Sequence, residues 1–299
     1  LGKQVQLAEL FKDPTIDHLS ELIGHGKEKL FQSLIVPLQA KGNKPALFSP
    51  HAGRGHVWCY QDLARYVDED QPFYGIQARQ PETGLVAHSQ IEPMAAEYVE
   101  AIRSFQPNGP YLLCGWSMGG VIAFEMARQL QQQGQQIALL ALIDSQAPIN
   151  WRSNYNWAEL LVDFARDVGL TQENLSILQS GSSSPSPVTQ LRQVWKEAKS
   201  NGLIPSEMTL IEFRNMFDIF KINANILSSY QPGEYPGRIT LFRTEQAESL
   251  KGWDKFAAGG VDLHVVPGDH FSMVREPHVK VLAEELRRSI HEALQNFEQ

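Results

Sequence analysis

"YLLCGWSMGGVIAFEMARQL", residues 111–130, decides the fold. Tyr111 to Cys114 read as a short buried strand, and from Val121 onward the apolar residues recur at helical spacing. Between the two stands a lone hydroxyl, Ser117, hemmed by Gly115, Gly119 and Gly120. A chain that passes from strand to helix so quickly brings backbone against backbone, and its neighbours must be small for that to happen. Gly115-Trp116-Ser117-Met118-Gly119 is thus a G-x-S-x-G sequence in the strand-then-helix setting of a nucleophile elbow. A Gly-rich turn that merely packs strand on helix can carry the same letters; the flanking strand and helix separate the two readings. In an elbow the serine hydroxyl stands exposed above the sheet. The N–H of the next residue, here Met118, points where a developing oxyanion would sit, aided by the positive end of the helix.

Working outward, "SLIVPLQ" (33–39), "PALFSP" (45–50), "PFYGIQA" (72–78), "IALLALID" (137–144), "RITLFR" (238–243) and "DLHVVPG" (262–268) are short apolar runs beside turn residues, hence buried strands. Helical patterns lie between them around 91–105, 119–133 and 276–296. This alternation predicts an α/β fold with a mostly parallel central sheet covered by helices on both faces. Two segments break the rhythm. Residues 149–237 carry helical patterns and a "SGSSSPSP" loop at 180–187 without a convincing strand, which reads as a helical insertion between two sheet strands. Residues 1–25 carry a helical pattern of their own, followed by the polar "GHGKEK".

The bulk numbers fit one large α/β domain or two ordinary ones. The chain has 299 residues, 42% hydrophobic and 20% charged, an ordinary globular composition. A formal net charge of −8 argues against nucleic acid or an anionic membrane as the main partner. Two cysteines, Cys59 and Cys114, are too few for a disulfide framework and point to reduced thiols in a cytoplasmic setting. No apolar run approaches the length of a membrane span, and residue 1 is Leu, so the chain reads as a piece of something longer.

A serine nucleophile needs a base, and the base needs an orienting acid. Of nine histidines, His270 in "VVPGDHFSMV" follows a strand directly and lies late in the chain, where this architecture delivers its base. His264 alternates within that strand and packs on the sheet in this reading, while His18, His25, His88, His278 and His291 read as surface residues. Two carboxylates compete for the acid. Asp144 ends the strand "IALLALID", and Glu245 follows the next strand in "LFRTEQ"; chain order and strand placement favour Asp144. The second oxyanion N–H should come from "ALFSPHAGRGHVWCY", from His51 or Ala52, with Gly53 and Gly55 letting that loop approach. The His51 and His56 imidazoles are in reach of substrate in this reading, without a catalytic role.

"FSPHAGRGHVWCY", "DQPFYGIQA", "GWSMGG", "LIDSQAP", "YPGRITLFR" and "GDHFSMVREPHV" together resemble type I thioesterase domains, which end nonribosomal peptide synthetases and related polyketide hybrids. The likeness runs from about residue 30 to 290, and Trp116 with Gly119-Gly120 leans toward the peptide synthetase branch. It implies an α/β-hydrolase fold in which Ser117 is acylated, His270 is the base, Asp144 the acid, and His51 and Met118 supply the oxyanion hole. Residues 149–237 then correspond to the lid, within a thioesterase domain at 26–299. "LAELFKDPTIDHLSELI" resembles the last helices of a peptidyl carrier protein, so 1–25 read as a carrier remnant that lacks the phosphopantetheine-bearing serine motif. The resemblance implies no metal and no directly bound cofactor. It implies an acyl chain delivered on the phosphopantetheine arm of an upstream carrier and released by macrocyclisation or hydrolysis. The rivals are a stand-alone editing thioesterase, a general serine esterase, and an inactive hydrolase fold used for docking.

Overall fold

A computed structural model describes residues 34–78, 88–149, 156–171, 173–175, 186–245, 250 and 252–297. The carrier-like segment 1–25 and most of the 180–187 loop lie outside the described residues.

Seven strands form one sheet: β1 Ile35–Gln39, β2 Leu47–Pro50, β3 Phe73–Ile76, β4 Tyr111–Trp116, β5 Ile137–Ile143, β6 Ile239–Thr244 and β7 Val261–Val266. Their spatial order is β1-β3-β2-β4-β5-β6-β7, with β1 antiparallel to β3 and every other pair parallel. The elbow strand β4 therefore sits at the centre, and all six of its residues are buried.

Side-chain alternation explains the layers. Tyr111 and Leu113 of β4 face a cluster built with α2 (Ile91–Phe105) and α3 (Met118–Gln132). Leu112, Cys114 and Trp116 face the opposite cluster, built with α1 (Gln61–Val67) and α7 (Val279–Phe297). The expected two-faced cover is present. A strand sandwiched this way is apolar on both sides, which is why β4 and β5 read as continuous hydrophobic runs rather than alternating ones. Helix α1 was not visible as a pattern in the sequence: it is only seven residues long and carries Gln61, Asp62 and Arg65 among its apolar positions.

The insertion supplies α4 (Trp157–Val168), α5 (Pro187–Ser200) and α6 (Leu210–Ser229), which pack into a third cluster of their own around Phe164, Phe213 and Phe217. Each helix starts where its sequence dictates. Asn156 caps α4, Ser186 followed by Pro187 opens α5, and Thr209 with Glu212 forms a reciprocal capping box on α6. Helix α6 has a divided allegiance. Phe213 and Phe217 belong to the insertion's cluster, whereas Ile226, Leu227 and Tyr230 beyond its other end join the sheet's core.

Candidate active site

Ser117 links β4 to α3 with φ 56° and ψ −124°, a region that side-chain-bearing residues rarely adopt. The three glycines around it have no room for a side chain. A Cβ on Gly115 would lie 2.2 Å from the Gly119 carbonyl oxygen, one on Gly119 would lie 2.5 Å from the Pro50 carbonyl, and one on Gly120 would lie 2.5 Å from Ser145 Cβ. The strained turn is fastened from three sides. Ser117 N–H donates to the Ile143 carbonyl at 3.0 Å, and the buried Tyr60 hydroxyl donates to Pro50 O at 2.8 Å while accepting from Trp116 N–H at 2.9 Å. Such over-determination is what allows strain to persist at a functional position.

Asp144 directly follows β5, also at positive φ (42°), with its N–H donating to the Phe242 carbonyl at 2.7 Å. Its side chain is 3% exposed and reaches His270 Nδ1 at 2.7 Å. His270 lies on the loop after β7. Asp269 shapes that loop by accepting from the Phe271 and Ser272 amides, at 2.9 and 2.8 Å. The Trp116 indole donates to the His270 carbonyl at 3.0 Å and its ring lies 5.2 Å from the imidazole, so the ring is steered from below. His270 Nε2 then meets Ser117 Oγ at 3.1 Å. Glu245, the rival acid, is exposed beyond the end of β6.

An amide can serve a developing oxyanion only if the fold does not already use it. Met118 is the first residue of α3, so its N–H is one of the helix's free donors, and it lines the cavity beside Ser117. The His51 N–H instead donates to the Ile76 carbonyl at 2.8 Å, continuing the ladder between β2 and β3. That amide is committed, which is the physical reason to correct the expectation placed on His51. Of the two residues considered, Ala52 is the one that lines the cavity. The His51 ring does not reach substrate space either. It is fully buried, contacts the Ala52 carbonyl through Nδ1 (2.8 Å) and the Tyr98 hydroxyl through Nε2 (2.9 Å), and burial lowers its pKa to about 4. The thiols of Cys59 and Cys114 are both free, and burial pushes each up to about 12, which removes them as nucleophiles at neutral pH.

Above Ser117 opens a cavity of about 370 Å³, floored by Trp116, Met118 and His270 and roofed by Leu160, Phe220 and Leu227 of the insertion. It is mainly apolar, but Asp163 and Asp167, one turn apart on α4, also line it. Burial raises the Asp163 pKa. Sequence reading assigned no role to these two carboxylates, nor to Arg54, Tyr60 or Asn223. The i, i+4 spacing of Asp163 and Asp167 on an otherwise apolar helix face was the one available signal; the partners of the others are set by folding alone.

Comparison with known proteins fits this geometry. The family model described as "Thioesterase domain" matches residues 45–290. The chain belongs to the thioesterase domain family. It is 30% identical over 248 residues to a dimodular nonribosomal peptide synthase of Bacillus subtilis (strain 168), covering 82% of this chain and 10% of that protein. It is 31% identical over 307 residues to malpinin synthetase of Mortierella alpina, covering 98% of this chain and 4% of that one. The thioesterase chain thus spans a tenth or less of the length of these two relatives. Among solved structures, a four-domain nonribosomal peptide synthetase bound to AMP and glycine superposes with a TM-score of 0.75 at 29% identity, over 96% of this chain and 22% of that one. The NocB thioesterase domain, in covalent complex with a fluorophosphonate nocardicin G analogue, gives 0.63 at 25% identity, over 87% and 99%. The fold is of the α/β-hydrolase type. No helix among the described residues is long and apolar enough to cross a membrane.

Proposed function

We propose that this thioesterase domain releases a finished peptidyl chain from an upstream carrier protein through an acyl-O-serine intermediate on Ser117. His270 Nε2 takes the Ser117 proton as Oγ attacks the thioester carbonyl. Asp144 holds Nδ1–H, fixing the tautomer and offsetting the imidazolium charge. The tetrahedral oxyanion is stabilised by the Met118 and Ala52 amides. The arm's thiolate then leaves, taking the proton from His270, and the acyl group remains as an ester on Ser117. A second nucleophile, water or a group within the peptide, gives its proton to His270 and attacks that ester. Collapse returns the proton to Ser117 and frees a linear acid or a macrocycle.

The observation that carries this reading is the hydrogen-bonded row Asp144–His270–Ser117, at 2.7 and 3.1 Å, on the floor of a mainly apolar cavity. The relatives being long synthetases supports delivery of the substrate on a carrier's phosphopantetheine arm. The match to malpinin synthetase takes in 98% of the chain, beyond the 45–290 of the family model, which supports reading residues 1–25 as the end of that carrier. The test is to supply a peptidyl thioester and weigh the products. Release of linear acid or cyclic peptide that is lost in Ser117→Ala supports the reading; release at the buffer rate by both proteins refutes it.

A further inference from the structure

The loop after β2 is held peptide by peptide, and two of its fastenings come from the lid. His51 N–H is bound to Ile76, and the Ala52 carbonyl accepts from the Gly55 amide at 3.0 Å and contacts the His51 ring at 2.8 Å. The next carbonyl, of Gly53, accepts from the Asn223 side-chain amide of α6 at 2.8 Å. Arg54 Nε pairs with Asp167 Oδ2 of α4 at 2.8 Å, with both side chains largely out of solvent. Phe220, one turn before Asn223, lies so close to Gly53 that a Cβ there would meet its ring at 2.9 Å.

These contacts reach beyond the insertion's own core, onto the loop after β2. Asn223 is 2% exposed on a helix whose neighbouring buried positions are apolar, and a buried amide costs stability unless its hydrogen bonds are made. What Asn223 satisfies is a backbone carbonyl one residue from Ala52. Gly53 has no Cβ to restrict its φ and ψ, so that bond removes conformational freedom the peptide would otherwise keep. An oxyanion donor works only within about 2.7–3.1 Å of the developing charge, so small displacements are felt in rate.

We propose that Asn223 and the Arg54–Asp167 pair are positioning residues that lock the oxyanion loop only while the lid helices are seated. Assembly of the oxyanion hole is thereby coupled to lid closure over the acyl chain. The proposal rests on the assignment of Ala52 as the second oxyanion donor. It differs from a packing role because these residues touch the loop's backbone and its charge and make no contact with the triad, with Asp167 also on the cavity wall.

The test uses the full chain, a fluorophosphonate probe, and one N-acetylcysteamine peptidyl thioester. Asn223→Leu removes the donor at similar volume. The expected result is a fall in both Ser117 phosphonylation rate and kcat approaching the ~10²-fold loss of one oxyanion donor, with KM within about twofold and an unchanged pH profile. Asn223→Gln, which keeps a donor, should recover part of the rate. The exchange Arg54→Gln with Asp167→Asn swaps the ion pair for an amide pair and should lower both rates more mildly; it also carries the test if Asn223→Leu fails to fold. Combined with Asn223→Leu it should cost less than the product of the two, because both act on one loop. Folded variants with wild-type rates, or a change confined to KM, overturn the proposal. A wild-type chain that takes no label at all refutes the triad reading and the lock with it, whereas a labelled wild type with unaltered variants refutes the lock alone.

Discussion

The elbow and the lid meet across the same cavity but are specified in different ways. Around Ser117 three glycines have backbone or Ser145 atoms where their Cβ atoms would be, and a buried tyrosine ties two strands together through one hydroxyl. Nothing there can move without a clash. The lid's rings instead pack on one another, with Phe164 lying 5.2 and 5.1 Å from Phe213 and Phe217. Its described polar ties to the sheet domain include Arg54–Asp167, Asn223 to Gly53, Arg166–Asp269 and Arg275 to the Asp167 carbonyl. The difference teaches that the geometry at Ser117 is fixed by sterics, whereas the facing wall of the cavity belongs to a unit with its own small core. Such a unit can open with a free energy well below that of global unfolding.

The largest expected effect breaks the elbow alone. Ser117→Ala should remove nearly all turnover, leaving on the order of 10³–10⁴-fold over water from the oxyanion hole and binding, in a chain whose circular dichroism is unchanged. Asp144→Asn should cost ~10⁴ in kcat with the fold intact, because the imidazole loses its tautomer and charge partner. Glu245→Gln, in the same assay, should leave kcat unchanged.

On the lid side, Phe164→Ala should cost about 3–5 kcal/mol of packing. Hydrogen exchange should register that loss in α4, α5 and α6 while the amides of β4 and β5 keep their protection. On the sheet side, His51 gives a pH signature. Its folded pKa, about 4, lies below the ordinary 6.5 because burial disfavours the charged ring. The unfolded chain therefore binds the extra proton first. This contribution is complete above pH 6.5 and is lost as pH falls toward 4, in total about 3 kcal/mol. Denaturant titrations across that window should show a shallower slope for His51→Asn than for the wild type. Smallest is Tyr60→Phe, which should cost about 1–3 kcal/mol by leaving Pro50 O and Trp116 N–H without their partner. A loss of kcat in the same variant would show that the elbow depends on this hydroxyl for its shape.

How much was legible follows the same division. The strands, the elbow and the late histidine announce themselves locally: "YLLCGW" and "IALLALI" are apolar because both faces of the sheet are covered. The chain order of Ser117, Asp144 and His270 could be read because the first two directly follow strands and the third lies on the loop after the last strand. Short α1 escaped for want of periodicity. His51 was misjudged as a donor because sequence does not reveal which amides a neighbouring strand will take, and only the bond to Ile76 decides it. The ties of Arg54 to Asp167 and of Asn223 to Gly53 join residues more than a hundred positions apart and leave no local pattern.

One measurement reaches the central claim, that Ser117 is the nucleophile at a preorganised elbow. The intact mass of the chain is recorded after brief exposure to a fluorophosphonate, followed by peptide mapping of any adduct. The expected result is a single added label on the peptide containing Ser117, absent from Ser117→Ala and formed far more slowly in Asp144→Asn. A label that persists in Ser117→Ala, or one that maps to another residue, would contradict it.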